Sequence, residues 1–112
     1  MIVASKEGFE NWLVRNNFAQ FTSAGNPSTT HQYAYWVERV MEQEGYKGYS
    51  SFAKDIQEII RKYGDDGPMK KFGDKGHKTV INALQRFFNY LLDDCGYVLK
   101  PRIFFEQNVF YY

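Results

Sequence analysis

The strongest constraint on this chain is a helical spacing of apolar residues that recurs four times. Tyr33, Trp36, Val37, Val40 and Met41 fall at i, i+3, i+4, i+7 and i+8. That spacing lines one face of an α-helix and scatters over both faces of a strand. Phe9, Trp12 and Leu13 mark a first helix over about residues 5–17, with Ser5 placed to cap it. The second helix begins near Ser28 or Thr29, whose hydroxyls can each accept a first-turn N–H, and Gly45 ends it. Phe52, Ile56, Ile59, Ile60 and Tyr63 predict a third helix, capped by Ser50 or Ser51 and stopped by Gly64 and Asp65-Asp66-Gly67-Pro68. Val80, Leu84, Phe87, Phe88, Leu91 and Leu92 predict a fourth over about residues 77–94, with Gly96 as the stop. Residues 22–28 read as a loop, and residues 69–76 as a Gly- and Lys-rich link.

At 112 residues the chain suits one domain. The 10 Phe, 9 Tyr and 2 Trp give it enough bulk for a real core and exclude a disordered composition. The expected fold is mainly α, a four-helix bundle over residues 1–96 followed by an aromatic-rich tail over residues 97–112. In that tail Tyr97, Val98, Ile103, Phe104, Phe105, Val109, Phe110, Tyr111 and Tyr112 are β-formers, and Pro101 breaks a helix. One or two short strands or an extended arm are expected there. Cys95 is the sole cysteine, which excludes an internal disulfide framework and a multi-cysteine metal site. The start, Met1-Ile2-Val3-Ala4-Ser5-Lys6-Glu7, has no long apolar run, so neither a signal peptide nor a membrane anchor is expected. The expected compartment is the cytoplasm.

The net charge of +1 excludes binding to nucleic acid by bulk charge alone. The cations are unevenly placed, however. Between Arg61 and Arg86 lie seven basic residues and only Asp65, Asp66 and Asp74 to oppose them, a local surplus of four. Lys70, Lys71, Lys75 and Lys78 bracket the start of the fourth helix, where outward N–H groups and the helix dipole favour anions. Lys75 or Lys78, with the amides of Gly76 and His77, could hold a phosphate; a solvated loop is the plainer alternative. Thr79, Asn82 and Arg86 follow at i, i+3 and i+7, so Asn82 or Arg86 could reach a base edge, or the stripe could simply face water. In the front half Lys6, Arg15, Arg39, Lys47 and Lys54 are interleaved with acids, and Glu42 partly neutralises Arg39 at i, i+3.

Other chemistry finds less support. His31, His77 and Cys95 have no metal-ligand spacing among them. A Cys–His nucleophilic pair is disfavoured because Asp93, Asp94 and a helix C-terminus would all raise the Cys95 thiol pKa. Asp65-Asp66 reads as turn chemistry, and Asp93-Asp94 sits unfavourably at a helix C-terminus. No catalytic residue, metal, cofactor or small-molecule substrate is expected.

With these elements in place the chain resembles the N-terminal core-binding, SAM-like domain of tyrosine recombinases, the phage integrases. Phe9, Trp12 and Leu13 match its F-x-x-W-L opening. Thr29 and Tyr33 keep the end of its S-x-x-T-x-x-x-Y pattern, with Asn26 standing at the Ser position. Thr79, Leu84, Phe87, Tyr90 and Leu91 match T-x-x-x-x-L-x-x-F-x-x-Y-L in the final helix. The resemblance spans about residues 5–93 and implies a four-helix module of a phage or mobile element. Such a module clamps duplex DNA mostly through phosphates and lacks the recombinase catalytic domain. The tail lies outside the resemblance. Phe104, Phe105, Phe110, Tyr111 and Tyr112 could form a protein interface, including a homodimer by strand exchange, or fold back over the bundle.

Overall fold

The computed structural model describes residues 3–18 and 29–97. They form α1 (Lys6–Arg15), α2 (Thr29–Gln43), α3 (Tyr49–Lys54), α4 (Ile56–Tyr63), α5 (Lys70–Gly73) and α6 (Lys75–Asp94), with no strand among the described residues. The fold is mainly α, a helical bundle. The tail from residue 98 onward, with Phe104, Phe105, Phe110, Tyr111 and Tyr112 and the strands expected there, lies outside the described residues.

Ser5 caps α1 as its sequence position predicts. Its backbone is extended, and its Oγ accepts the Gly8 N–H at 3.0 Å. Phe9, Trp12 and Leu13 are buried. The helix ends on Asn17 in the left-handed region (φ 70°), with the Phe18 N–H donating to the Leu13 carbonyl at 2.9 Å. In α2 the buried residues are Thr30, Ala34, Val37, Val40 and Met41. The helix is thus rotated from the expected stripe, which leaves Tyr33 and Trp36 half-buried at its edge. Gly45 closes α2 at φ 83°, and the Tyr46 N–H reaches back to the Met41 carbonyl at 3.0 Å.

The single helix predicted over the third stripe is two helices. The chain breaks at Asp55 (φ −106°, ψ 13°), whose carboxylate accepts the Tyr46 hydroxyl at 2.6 Å. The apolar period survives the break because Phe52 and Ile56, four apart, both point inward and are fully buried. The expected link before the last helix also contains structure, the one-turn α5. Its Gly73 is buried against the backbone of Tyr63.

At 20 residues α6 is about 30 Å long and packs against α1, α2, α4 and α5. Val80, Ile81, Ala83, Leu84, Phe87, Tyr90 and Leu91 are buried along it. Two residues of the predicted stripe depart from this: Phe88 is half-buried and Leu92 is 38% exposed. Phe87 is the centre of the core, with its ring 5.3 Å from Phe9, 5.8 Å from Phe52 and 6.0 Å from Tyr49. Ring pairs of this kind contribute beyond the area they bury. Polar tips of the aromatics tie the helices at their seams. Trp12 Nε1 donates to Asp93 at 2.8 Å, Tyr63 donates to Glu44 at 2.6 Å, and Tyr49 donates to Glu38.

Candidate nucleic-acid interface

The structure sorts the seven basic residues between Arg61 and Arg86 into two sets. Lys62 pairs with Glu44 at 2.8 Å and Arg61 pairs with Glu58. Lys70 Nζ lies 2.6 Å from Asp74 Oδ2, a contact that raises the ammonium pKa and lowers that of the carboxyl. Lys71, Lys75, Lys78 and Arg86 are exposed, and none has a carboxylate within ion-pair distance among the described residues. Sequence counting alone could not separate the sets, because two of the neutralising acids, Glu44 and Glu58, lie upstream of the counted stretch.

Two of these cations rest on aromatic rings. Lys75 Nζ sits 5.1 Å from the Phe72 ring centroid, and the Arg86 guanidinium sits 5.4 Å from that of Phe18. Lys78 occupies the left-handed region at φ 69°, a backbone conformation that costs a residue with a Cβ about 1–2 kcal/mol. Gly76 is also left-handed (φ 63°), and its carbonyl accepts the Thr79 hydroxyl. The first turn of α6 is therefore irregular. The Lys78 N–H is already bonded to the Asp74 carbonyl at 3.0 Å. His77 falls in this turn, and its side chain is outside the description.

Further along α6, Lys78, Asn82, Gln85 and Arg86 are exposed and Asn89 is half-buried. They run at i, i+4, i+7, i+8 and i+11. This row replaces the expected Thr79–Asn82–Arg86 stripe, because Thr79 is half-buried and its hydroxyl is turned to the backbone. Gln85 and Asn89 are the residues that sequence reading missed, although helical spacing from Lys78 reaches both. A cleft of about 320 Å³ beside the row is lined by Gln57, Ile60, Gln85, Arg86, Phe88 and Asn89, with no acid. A second, of about 200 Å³, is lined by Lys78, Asn82 and Gln85 together with the acids Asp65 and Asp74. The row carries cations and amides, groups suited to phosphate oxygens and base edges.

Cys95 is half-buried, and burial, followed by the charge of Asp94, raises its thiol pKa against a hydrogen bond with Tyr90. The His31 Nδ1 lies 3.5 Å from Glu10 Oε2. Among the described residues no group of three or more His, Cys, Asp or Glu is placed to hold a metal ion. The Asp93-Asp94 pair, unfavourable on dipole grounds, is taken up by Trp12 and Arg15 of α1. No described helix is long and apolar enough to cross a membrane. No known protein family, curated protein or solved structure matches this chain.

Proposed function

We propose that this chain is a non-catalytic duplex-DNA-binding module of phage or mobile-element type, used as the core-binding domain of a tyrosine recombinase is used. The observation that supports it is the row Lys78, Asn82, Gln85, Arg86 and Asn89 along α6, preceded in the chain by the exposed cations Lys71 and Lys75, all four cations having no carboxylate within ion-pair distance among the described residues. Phosphate contacts through the cations would set position on the duplex, and Asn82 or Arg86 would touch base edges. Four phosphate contacts give a salt slope of about −3.6, so affinity falls roughly 150-fold between about 50 and 200 mM salt. A titration of blunt duplex at the two salt concentrations tests this. No binding at the lower salt, or binding indifferent to salt, refutes it.

A second reading, a protein-interaction or homo-oligomerisation module, is favoured by one observation. An apolar groove of about 320 Å³, lined by residues that include Val3, Ala4, Ala53, Leu91 and Tyr97, opens where the chain passes into the aromatic tail. Deleting residues 103–112 separates the readings. Loss of self-association with duplex affinity intact supports the first; loss of partner binding in a protein with no duplex affinity supports the second.

A further inference from the structure

A row of side chains runs from α2 across α5 to Lys75 at the start of α6. The Tyr35 ring meets Trp36 nearly perpendicular, 5.0 Å between centroids. Trp36 meets Phe72 in the same manner at 6.0 Å, and Lys75 lies over Phe72. Phe72 is in turn braced by the buried Tyr63 at 5.8 Å. Trp36 and Phe72 are half-buried and fixed to the core. Tyr35 is 53% exposed, the one exposed aromatic ring among the described residues, and its hydroxyl has no hydrogen-bond partner among them.

Cations flank this ring. Arg39 is exposed one helical turn beyond Tyr35 and Trp36, and the expected pairing with Glu42 is not made, since no carboxylate lies within ion-pair distance of Arg39 among the described residues. The adjacent acid, Glu38, is engaged by the Tyr49 hydroxyl. At the other end of the row Lys75 lies 5.1 Å from the Phe72 ring centroid, and the exposed Lys71 directly precedes Phe72 in α5. A rigid aromatic surface between cations suits a ligand that alternates flat apolar rings with anions. A protein partner would need a broader apolar face than one ring, whereas a single strand of nucleic acid has this alternation. The braced ring also loses little freedom on stacking.

We propose that Tyr35, backed by Trp36, is a stacking platform for an unpaired nucleobase of DNA, with the neighbouring phosphates held by Arg39, Lys71 and Lys75. The proposal extends the duplex-binding reading, since Lys71 and Lys75 belong to both surfaces. A gapped or frayed duplex would then be held by its paired part on α6 and by its open strand on Tyr35.

The test uses the full chain with two probes, a blunt duplex and an oligothymidine of about ten nucleotides. Oligothymidine should quench the fluorescence of Trp36, and Trp36→Phe should abolish the quench. Tyr35→Ala should weaken oligothymidine binding about tenfold and leave duplex affinity within about twofold, and Tyr35→Phe should restore it. Tyr35 is exposed, so these variants fold as the parent does. Duplex binding without oligothymidine binding overturns the platform and leaves the duplex reading standing. Equal weakening of both probes by Tyr35→Ala also overturns it. Oligothymidine binding that depends on Tyr35, in a protein with no affinity for duplex, upholds the platform and overturns the duplex reading.

Discussion

Gly73→Ala is the sharpest test of how the basic region is positioned. A Cβ built on Gly73 would lie 2.1 Å from the Tyr63 carbonyl oxygen and 3.1 Å from its carbonyl carbon. Ordinary contact is more than an ångström longer, so one partner must move. Tyr63 cannot yield easily. Its side chain is fully buried, its ring meets Phe72 at 5.8 Å, and its hydroxyl donates to Glu44 and accepts from Gln43 at 2.7 Å. The burden falls on α5, which must lift off α4 and take Lys71 and Phe72 with it. Overpacking of this kind costs about 1–3 kcal/mol, and alanine's better helix propensity returns up to about 1 kcal/mol. A net loss of about 1–2 kcal/mol lowers Tm by roughly 4–8 °C for a domain of this size. The matched control is Gly48→Ala, where the backbone is extended (φ −161°) and no atom lies within 4 Å of the added carbon. It should change stability by less than about 0.5 kcal/mol. Thermal and urea unfolding followed by circular dichroism measure both. Gly73→Ala should also weaken duplex binding under conditions where it remains folded. A Gly73→Ala protein as stable as the Gly48→Ala control would show that α5 does not sit on Tyr63 as described.

Further outcomes follow from the same contacts. The triple variant Lys71→Glu, Lys75→Glu, Lys78→Glu should reduce the salt slope of duplex binding from about −3.6 to about −0.9 or less. Trp12→Phe removes the donor to Asp93 while keeping a ring, and should cost about 1–2 kcal/mol by urea titration. Tyr46, Tyr63 and Tyr90 have their phenol pKa pushed up to about 12, Tyr46 first by its bond to Asp55 and the other two first by burial. The folded state therefore holds those protons more tightly. Its stability from them is complete below the ordinary phenol range near 10 and is lost as pH rises through about 12. Phenolate absorbance and circular dichroism should rise and collapse together there, and three tyrosines titrating normally in a folded protein would contradict it. At the acid end, burial raises the Glu44 carboxyl pKa, but hydrogen bonds from Lys62 and Tyr63 outweigh it and leave it below the usual range. Its contribution is present above the ordinary carboxylate range and lost as pH falls through the lowered value, so Glu44→Gln should flatten the acid limb of the stability profile.

Local signals in the sequence were legible wherever one residue settles the geometry. Ser5 had to cap α1 because no other hydroxyl precedes Phe9 at that spacing, and Gly45 and Gly96 stand at φ 83° and 69°, where a Cβ is disfavoured. The break at Asp55 was not legible. The partner of its carboxylate, the Tyr46 hydroxyl, lies nine residues away and comes near only once α2 has turned back. The rotation of α2 was hidden for a similar reason. Ala34 and Thr30 are buried because α1 and α6 crowd that side, and the bulkier Tyr33 and Trp36 are displaced to the edge. In the candidate interface, the run of lysines was visible in the chain, but their partners were not. Lys70 and Lys75 look equivalent in sequence, yet one is tied to a carboxylate and the other rests on a ring.

That difference explains how a chain of net charge +1 can present a basic face. Its acids are largely committed to structure. Glu38, Glu44 and Asp55 accept tyrosine hydroxyls, Asp93 accepts the Trp12 indole, Asp94 meets Arg15, and Asp74 meets Lys70. The buried or half-buried Trp12, Tyr49 and Tyr63 would lose a hydrogen-bond partner if their carboxylates moved, whereas the exposed Arg15 and the half-buried Lys70 hold Asp94 and Asp74 by charge. The free lysines and Arg86 carry no such duty, since their stems lie on rings or in solvent and their charged ends remain available. Charge is thus sorted by hydrogen bonding: aromatic donors fix the carboxylates at the seams and leave the surplus cations along α5 and α6. On this account, adding an acid at an exposed position remote from α5 and α6 should leave duplex affinity nearly unchanged. Freeing an existing carboxylate beside the row should matter more. Lys70→Met, which releases Asp74 next to Lys78, should weaken binding more than Lys70 itself could contribute.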